Sequence, residues 1–305
     1  MTSSLKTRVG SIELRNPVMT ASGTAGHGAE LDHYFPLADL GAVVVKSLSA
    51  EPWAGNPAPR VHETTGGMLN SVGLQGPGVE AWLEGELPAL AATGATVVAS
   101  IWGFTVEAYE KAAAMLAGAG PRVAAVEVNL SCPNVEHRRA MFAHSPAATT
   151  EAVEASAACG LPRWAKLSPN VTDVAEIAGA ALQAGAEAVT LVNTVMGLAI
   201  DPETRKPRLG AGGGGLSGPA IHPVAVRAVF ETRAAFPTAT IVGVGGVASA
   251  EDAIELIMAG ASAVQVGTAT FADPRAPHRV LHGIDRWCRR HGVTSIDQLI
   301  GAAHG

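Results

Sequence analysis

Along this chain, short runs of Val, Ala and Ile alternate with stretches in which apolar residues return at helical spacing. Four times an apolar segment leads into Gly, a small residue and a β-branched run: LADLGAVVVKS, LAATGATVVAS, LQAGAEAVTLVNT and IMAGASAVQVGTA. A glycine there suits the left-handed position just past a helix, and the Val-rich piece behind it suits a strand buried on both faces. Reading outward gives eight candidate strands, near PVMTAS, AVVVKS, TVVASI, AAVEVNLS, WAKLS, AVTLVNT, TIVGVGG and AVQVGTA, each followed by a helix-like segment. In TDVAEIAGAALQAG, Val174, Ile177, Ala181 and Leu182 share one face; in SAEDAIELIMAG, Ser249 can cap while Ile254, Ile257 and Met258 pack. Eight alternating βα units predict a TIM (β/α)8 barrel, a single domain over residues 1–305. Periodicity alone leaves a doubly wound open sheet as the alternative.

The strand ends favour the barrel. Each strand is apolar until its C-terminal edge, where Ser22, Lys46, Ser100, Asn129, Lys166, Asn193 with Thr194, Gly245 with Gly246, and Gly267 with Thr268 appear. In a barrel these edges form one ring, the face on which such enzymes place their chemistry. Residues 50–80 and 196–219 exceed ordinary βα loops and are expected to roof that face. The second is glycine-rich, GAGGGGLSGPA, so it can bend around a ligand or move as a flap.

Composition narrows the partners. The chain has 305 residues, 48% apolar and 16% charged, with a net charge of -6, so it offers no basic stripe for a phosphate backbone. No apolar stretch is long enough to span a bilayer and residues 1–10 lack an apolar leader, which predicts a cytosolic protein. Cys132, Cys159 and Cys288 are scattered without a CxxC pair, which argues against a disulfide framework and against a metal or iron-sulfur site in this chain.

Two ends of a site can be read from the edge residues. Between the seventh strand and its helix lies GVGGVASAEDA, and after the eighth lies VGTATFADP. A Gly-Gly turn joined to a helix N-terminus makes an anion cradle, and barrels often hold a phosphate between these two strands. The bland alternative is that the glycines only permit tight turns. As dinucleotide motifs, residues 243–248 (GxGxxA) and 210–215 (GxGxxG) are weak, because the first lacks an acidic residue at the end of the next strand and the second follows PETRKPRL. Lys46 and Lys166, at the ends of buried strands, are expensive unless they meet negative charge or snorkel. Asn70, Asn129, Asn134 and Asn193 add amides that suit a planar ligand with ring carbonyls and N–H groups, or serve as turn formers. Cys132, in NLSCPN where a buried strand runs out, is either a small hydrophobe or a reactive thiol; Cys159 and Cys288, in helical segments, are read as inert.

The segments NPVMTASGTAGHG, VVVKSLSAEPWAGNPAPRVHETTGGMLNSVGLQGPG, VEVNLSCPNV, WAKLSPN, LVNTVMGLAID, GGGGLSGPAIHPVAVR and VGVGGVASAEDAIELIMAGASAVQVGTATF together resemble the class 1 dihydroorotate dehydrogenases, from about residue 8 to 300. The resemblance implies an FMN-containing TIM barrel that oxidises dihydroorotate to orotate in pyrimidine synthesis. It implies that FMN is held through Gly218, Gly245, Gly246, Gly267 and Thr268, with Ser22, Ser47, Ser100 and Val192 lining it, Lys46 and Asn129 close by, and Lys166 at its pyrimidine edge. Lys46, Asn70, Ser71, Val72, Gly73, Leu74, Asn129, Asn134, Asn193 and Thr194 are expected to hold the orotate skeleton. Cys132 looks like the general base that takes the C5 proton while the C6 hydride passes to the flavin. A thiol has an unperturbed pKa of about 8.5, so it needs thiolate-favouring surroundings or transfer coupled to hydride departure.

Within the family, the cysteine base and the absence of a helical extension match the soluble class. NPAPR and GLQGPG look like its NAD-linked branch, which pairs this subunit with a second chain carrying FAD and an iron-sulfur cluster. A homodimer, or a heterotetramer with that chain, is therefore expected. The chain departs from the family in VEHRRAMFAHSP after SCPN, where Arg138 and Arg139 stand on a presumed lid, and in Ser100, where relatives commonly have asparagine. Those departures leave open a flavin enzyme acting on other dihydropyrimidine rings; a non-redox phosphate-binding barrel is the third reading, against which stands the lack of paired carboxylates at the strand ends.

Overall fold

The computed structural model describes residues 4–131 and 141–305. All eight expected strands are present: β1 (Val18–Thr20), β2 (Val43–Val44), β3 (Val97–Ile101), β4 (Ala125–Asn129), β5 (Arg163–Lys166), β6 (Ala188–Leu191), β7 (Ile241–Val244) and β8 (Ala263–Val266). They pair in parallel in the order β1-β8-β7-β6-β5-β4-β3-β2. The ring closes between its ends, where Gly41 N donates to Val18 O at 2.8 Å and Thr20 N to Ala42 O at 3.3 Å. The fold is thus a TIM barrel, and the open-sheet alternative falls.

Helices α1 (Val79–Ala92), α2 (Val106–Leu116), α3 (Pro146–Ala155), α4 (Val174–Gln183), α5 (His222–Ala235) and α6 (Ala250–Ala259) follow β2 to β7 in turn. Beyond β8 come a single turn, α7 (Ala269–Ala272), and α8 (Ala276–Arg290). The expectation of a helix after every strand fails once. After β1 there are only two 3-10 turns, Glu30–His33 and Leu37–Asp39, because Gly23, Gly26, Gly28 and Pro36 break any helical run. Ser249 caps α6 as its sequence indicates, accepting from Asp252 N while Asp252 accepts from Ser249 N at 2.8 Å. That box fixes the turn entering α6, which borders the site.

Strand period two sorts the side chains. On β4, Val126 and Val128 face the helices, whereas Ala125, Glu127 and Asn129 turn into the barrel. The lower interior is a dry layer of Met19, Val44, Val98, Trp164 and Val242 against the small Ala42, Ala125, Ala188 and Ala263. A hairpin, Thr7–Val9 with Ile12–Leu14, plugs the floor with Val9 and Leu14. Above this layer the interior becomes polar.

The two long insertions do roof the C-terminal face, and they do so jointly. Val195–Gly197, Gly214–Ser217, Gly67–Asn70 and Val61–Thr64 form one antiparallel sheet in that order. Within the glycine run, Gly214–Ser217 is therefore a strand of this sheet, whereas Gly210, Gly212, Gly213 and Gly218 lie outside it. A Cβ on Gly214 would lie 2.4 Å from Asn70 O, and one on Gly215 would lie 1.9 Å from Thr194 Oγ1, so glycine is required there by close packing.

Candidate active site

Beneath the roof lies a cavity of about 1720 Å³, far larger than a single small substrate needs. Its walls come from the ends of the barrel strands and from both insertions. Nearly all the sequence-selected residues meet here.

At the floor, Lys166 and Glu127 form a buried ion pair, Nζ to Oε1 3.6 Å, with side chains 5% and 0% exposed. Gln265 bridges them: its Oε1 accepts from Lys166 Nζ at 3.2 Å, and its Nε2 donates to Glu127 Oε2 at 2.6 Å. Thr190 Oγ1 also donates to Glu127, at 3.3 Å, and Lys166 reaches Ser22 Oγ at 3.4 Å. The negative charge that a buried Lys166 requires is therefore Glu127. The sequence reading overlooked both Glu127 and Gln265. Their signal was present, since each is a lone polar residue inside an apolar strand at an inward-facing position.

A second polar chain runs along the wall. Asn193 Nδ2 donates to Asn129 Oδ1 at 3.2 Å, Asn129 Nδ2 to Ser47 Oγ at 3.4 Å, and Ser47 Oγ lies 2.9 Å from Ser100 Oγ. Ser100, expected to line a cofactor, is fully buried one layer behind the cavity wall, against Ser47. Val192, which follows a cis Leu191–Val192 peptide, does line the cavity. Thr194 joins the wall, its carbonyl accepting from Asn170 Nδ2 at 2.9 Å.

Opposite, the first insertion presents Asn70, Ser71, Val72, Gly73 and Leu74 to the same space. Arg60 braces that loop, donating to Asn56 O at 2.6 Å, to Ala54 O at 3.0 Å and to the Gln75 side chain. Asn56 Nδ2 in turn donates to Ser71 Oγ at 2.8 Å. Lys46 enters from the end of β2, its backbone N–H bound to Gly26 O at 2.8 Å. Burial, and then the Lys46 ammonium, hold the nearby His27 imidazole below its ordinary range, against an opposing pull from Glu30.

The far end is built of glycine. Gly245 and Gly246 turn with φ of 137° and 72°, and Gly218 with 97°, conformations that side chains disfavour. Gly267 and Thr268 complete this end, with Thr268 Oγ1 donating to Ser217 Oγ at 2.8 Å. A Cβ at Gly246 would lie 2.6 Å from His222 Cβ, so the backbone approaches closely and leaves its own face open to the cavity. An anion cradle at one end and a polar floor of Lys166, Asn129 and Ser22 at the other fit the phosphate and the ring of a flavin.

Cys132 and Asn134, and the lid residues Arg138 and Arg139, lie outside the described residues. The other two cysteines are free and buried. Desolvation pushes both thiols up, Cys159 and Cys288 alike. Both are accordingly expected to resist iodoacetamide in the native protein at neutral pH, and peptide mass spectrometry after a timed reaction checks it; rapid labelling of either would contradict the inert reading. No group of three or more His, Cys, Asp or Glu among the described residues is arranged to hold a metal ion.

Comparison with known proteins places this geometry. The family model for dihydroorotate dehydrogenase matches residues 4–287. The chain is 46% identical over 306 residues to the catalytic subunit of dihydroorotate dehydrogenase B (NAD(+)) of Trichlorobacter lovleyi, covering 100% of both chains. To the protein of the same name from Pelobacter propionicus it is 48% identical over 292 residues, covering 95% of each. Both matches run through the strands, the roof and the cavity walls alike, and the chain belongs to the dihydroorotate dehydrogenase family.

Proposed function

We propose that this chain oxidises (S)-dihydroorotate to orotate in pyrimidine biosynthesis, as the FMN-holding catalytic subunit of an NAD-linked enzyme. The observation that carries the reading is one cavity in which a glycine-built anion cradle and an ammonium-and-amide floor stand at opposite ends. The family match supplies the substrate.

In this reading Gly218, Gly245, Gly246, Gly267 and Thr268 receive the FMN phosphate, Ser22, Ser47 and Val192 line the ring, and Lys166 faces its pyrimidine edge. Bound there, FMN supplies the acceptor for the C6 hydride. Lys46 meets the substrate carboxylate, while Asn70 through Leu74, Asn129, Asn134, Asn193 and Thr194 match the ring's carbonyl and N–H groups and hold it flat. Cys132 accepts the C5 proton, so that proton and hydride leave opposite faces of one ring. Glu127 is committed to Lys166 and Gln265, so it does not supply the acid–base pair that a phosphosugar isomerase would need.

Electrons then pass to a partner subunit, to which we assign the FAD and the iron-sulfur cluster; that the relatives are catalytic subunits supports a partner. A homodimer core is supported by Met196, Leu198 and Ile200, which alternate along the second insertion and are 54%, 56% and 59% exposed. Free thiols at Cys159 and Cys288 support a cytoplasmic, reducing setting. No helix among the described residues is long and apolar enough to cross a membrane.

The purified protein is expected to be yellow and to bleach on anaerobic addition of dihydroorotate. Protein that takes up no FMN would overturn the cofactor, and bound flavin that dihydroorotate leaves oxidised would overturn the substrate.

A further inference from the structure

Behind the wall that carries Asn193 and Thr194 stands Asn170, which does not itself line the cavity. It ends the short run Leu167, Ser168, Pro169, Asn170 that leaves β5. The buried Ser168 hydroxyl accepts from Asn170 N at 3.2 Å and from Asn170 Nδ2 at 2.8 Å, a side-chain turn that fixes where the amide points. Nδ2 also donates to Thr194 O at 2.9 Å, and Oδ1 accepts from Met196 N at 2.9 Å. A backbone carbonyl only accepts and a backbone N–H only donates, so these two partners leave the amide a single orientation. We infer that Asn170 is a positioning residue of the substrate wall: its one amide spans Thr194 and Met196 and sets where Asn193 and Thr194 stand.

The segment leaving β6 is gripped at successive points by the segment leaving β5. Asn193 N donates to Leu167 O at 2.8 Å, and Asn170 then takes Thr194 O and Met196 N. Thr194 N donates to Asn193 Oδ1 at 2.8 Å, which turns Asn193 Nδ2 toward Asn129 Oδ1. The direction of the Asn193 side chain thus follows from the placement of Thr194, and that placement follows from Asn170. Met196 belongs to Val195–Gly197, an edge strand of the roof whose other side pairs with Gly214–Ser217. An edge strand leaves alternate N–H groups unpaired by the sheet, and Asn170 takes the one at Met196. The same amide therefore joins the barrel rim to the roof. The consequence is that affinity for the substrate ring depends on a residue that touches neither substrate nor flavin.

The inference rests on the reading of Asn193 and Thr194 as substrate-holding residues, and its test separates the two. The full chain loaded with FMN is titrated with orotate, followed through the visible flavin spectrum, and steady-state rates are measured with dihydroorotate. Asn170→Asp keeps the size and the acceptor that faces Met196 N, but sets an oxygen that cannot donate against Thr194 O. It is expected to raise the orotate dissociation constant and the KM for dihydroorotate about tenfold, the order of one hydrogen bond lost at a carbonyl left unpaired. The turnover number and the flavin content are expected to stay within about twofold of wild type, the pattern of lost uniform binding. Asn170→Ala removes both contacts without adding a carboxylate and is expected to move both constants in the same direction, so the test survives an aspartate variant that fails to fold. Orotate affinity and KM at wild-type values in both variants would overturn the positioning role and leave the flavin enzyme intact. Loss of flavin in step with loss of affinity would overturn it as well, as the mark of a residue that only supports the fold. Wild-type protein that holds FMN, yet whose spectrum neither orotate nor dihydroorotate changes, would overturn the substrate reading and the inference together.

Discussion

Lys166→Met is expected to destabilise the protein by about 3–5 kcal/mol, because it strands the Glu127 carboxylate in the barrel without its counter-charge. The side chains have similar length, so packing is nearly conserved and the loss reports the charge. Glu127 would keep its bonds from Gln265 and Thr190, which soften the cost without replacing an ammonium. The double variant Lys166→Met/Glu127→Gln removes both charges and should recover most of the stability. Urea unfolding midpoints of the four proteins in this cycle decide it. If the single and double variants unfold together, the pair is not coupled and Lys166 owes its burial to Ser22 and Gln265 alone. Catalysis need not recover in the double variant, since the ammonium facing the proposed flavin is still absent.

Cys132→Ala is expected to lower turnover with dihydroorotate by about 10²–10⁴-fold, the usual contribution of a positioned general base. Flavin content should stay near the wild-type level, because the residues assigned to the FMN phosphate lie on other strands and on the glycine end. The split matters, since a merely structural cysteine would lose cofactor and stability together with activity. Steady-state rates beside the visible spectrum of each preparation provide the measurement. Turnover within a few-fold of wild type would remove the thiol from the proton transfer. Asn129 and Ser131, just before it, line the cavity, so the chain leaves β4 directly into the site.

The residues behind both predictions are legible in the sequence to different degrees. The strand-and-helix alternation, the α6 cap at Ser249 and the cluster of polar residues at strand ends all follow from local pattern, because period and capping involve residues a few positions apart. The same logic explains the failure after β1: a run that looked like one more βα unit holds too many helix breakers, and its 3-10 turns are closed by packing instead. The glycine run misled for a related reason. Its composition is that of a mobile flap, yet Gly214–Ser217 pairs with Gly67–Asn70 as a strand, with Asn70 and Thr194 packed close against Gly214 and Gly215.

The sequence by itself determined the eight strands and, through its motifs, the family. Only the tertiary structure decided what meets inside. Gln265 and Glu127 stand 138 positions apart and His222 and Glu255 33 apart, so no local period could pair them. Barrel closure and strand register bring them together, and once water is excluded the buried charges must find one another. The pairing of Lys166 with Glu127 is a consequence of burial, which a string of residues does not contain.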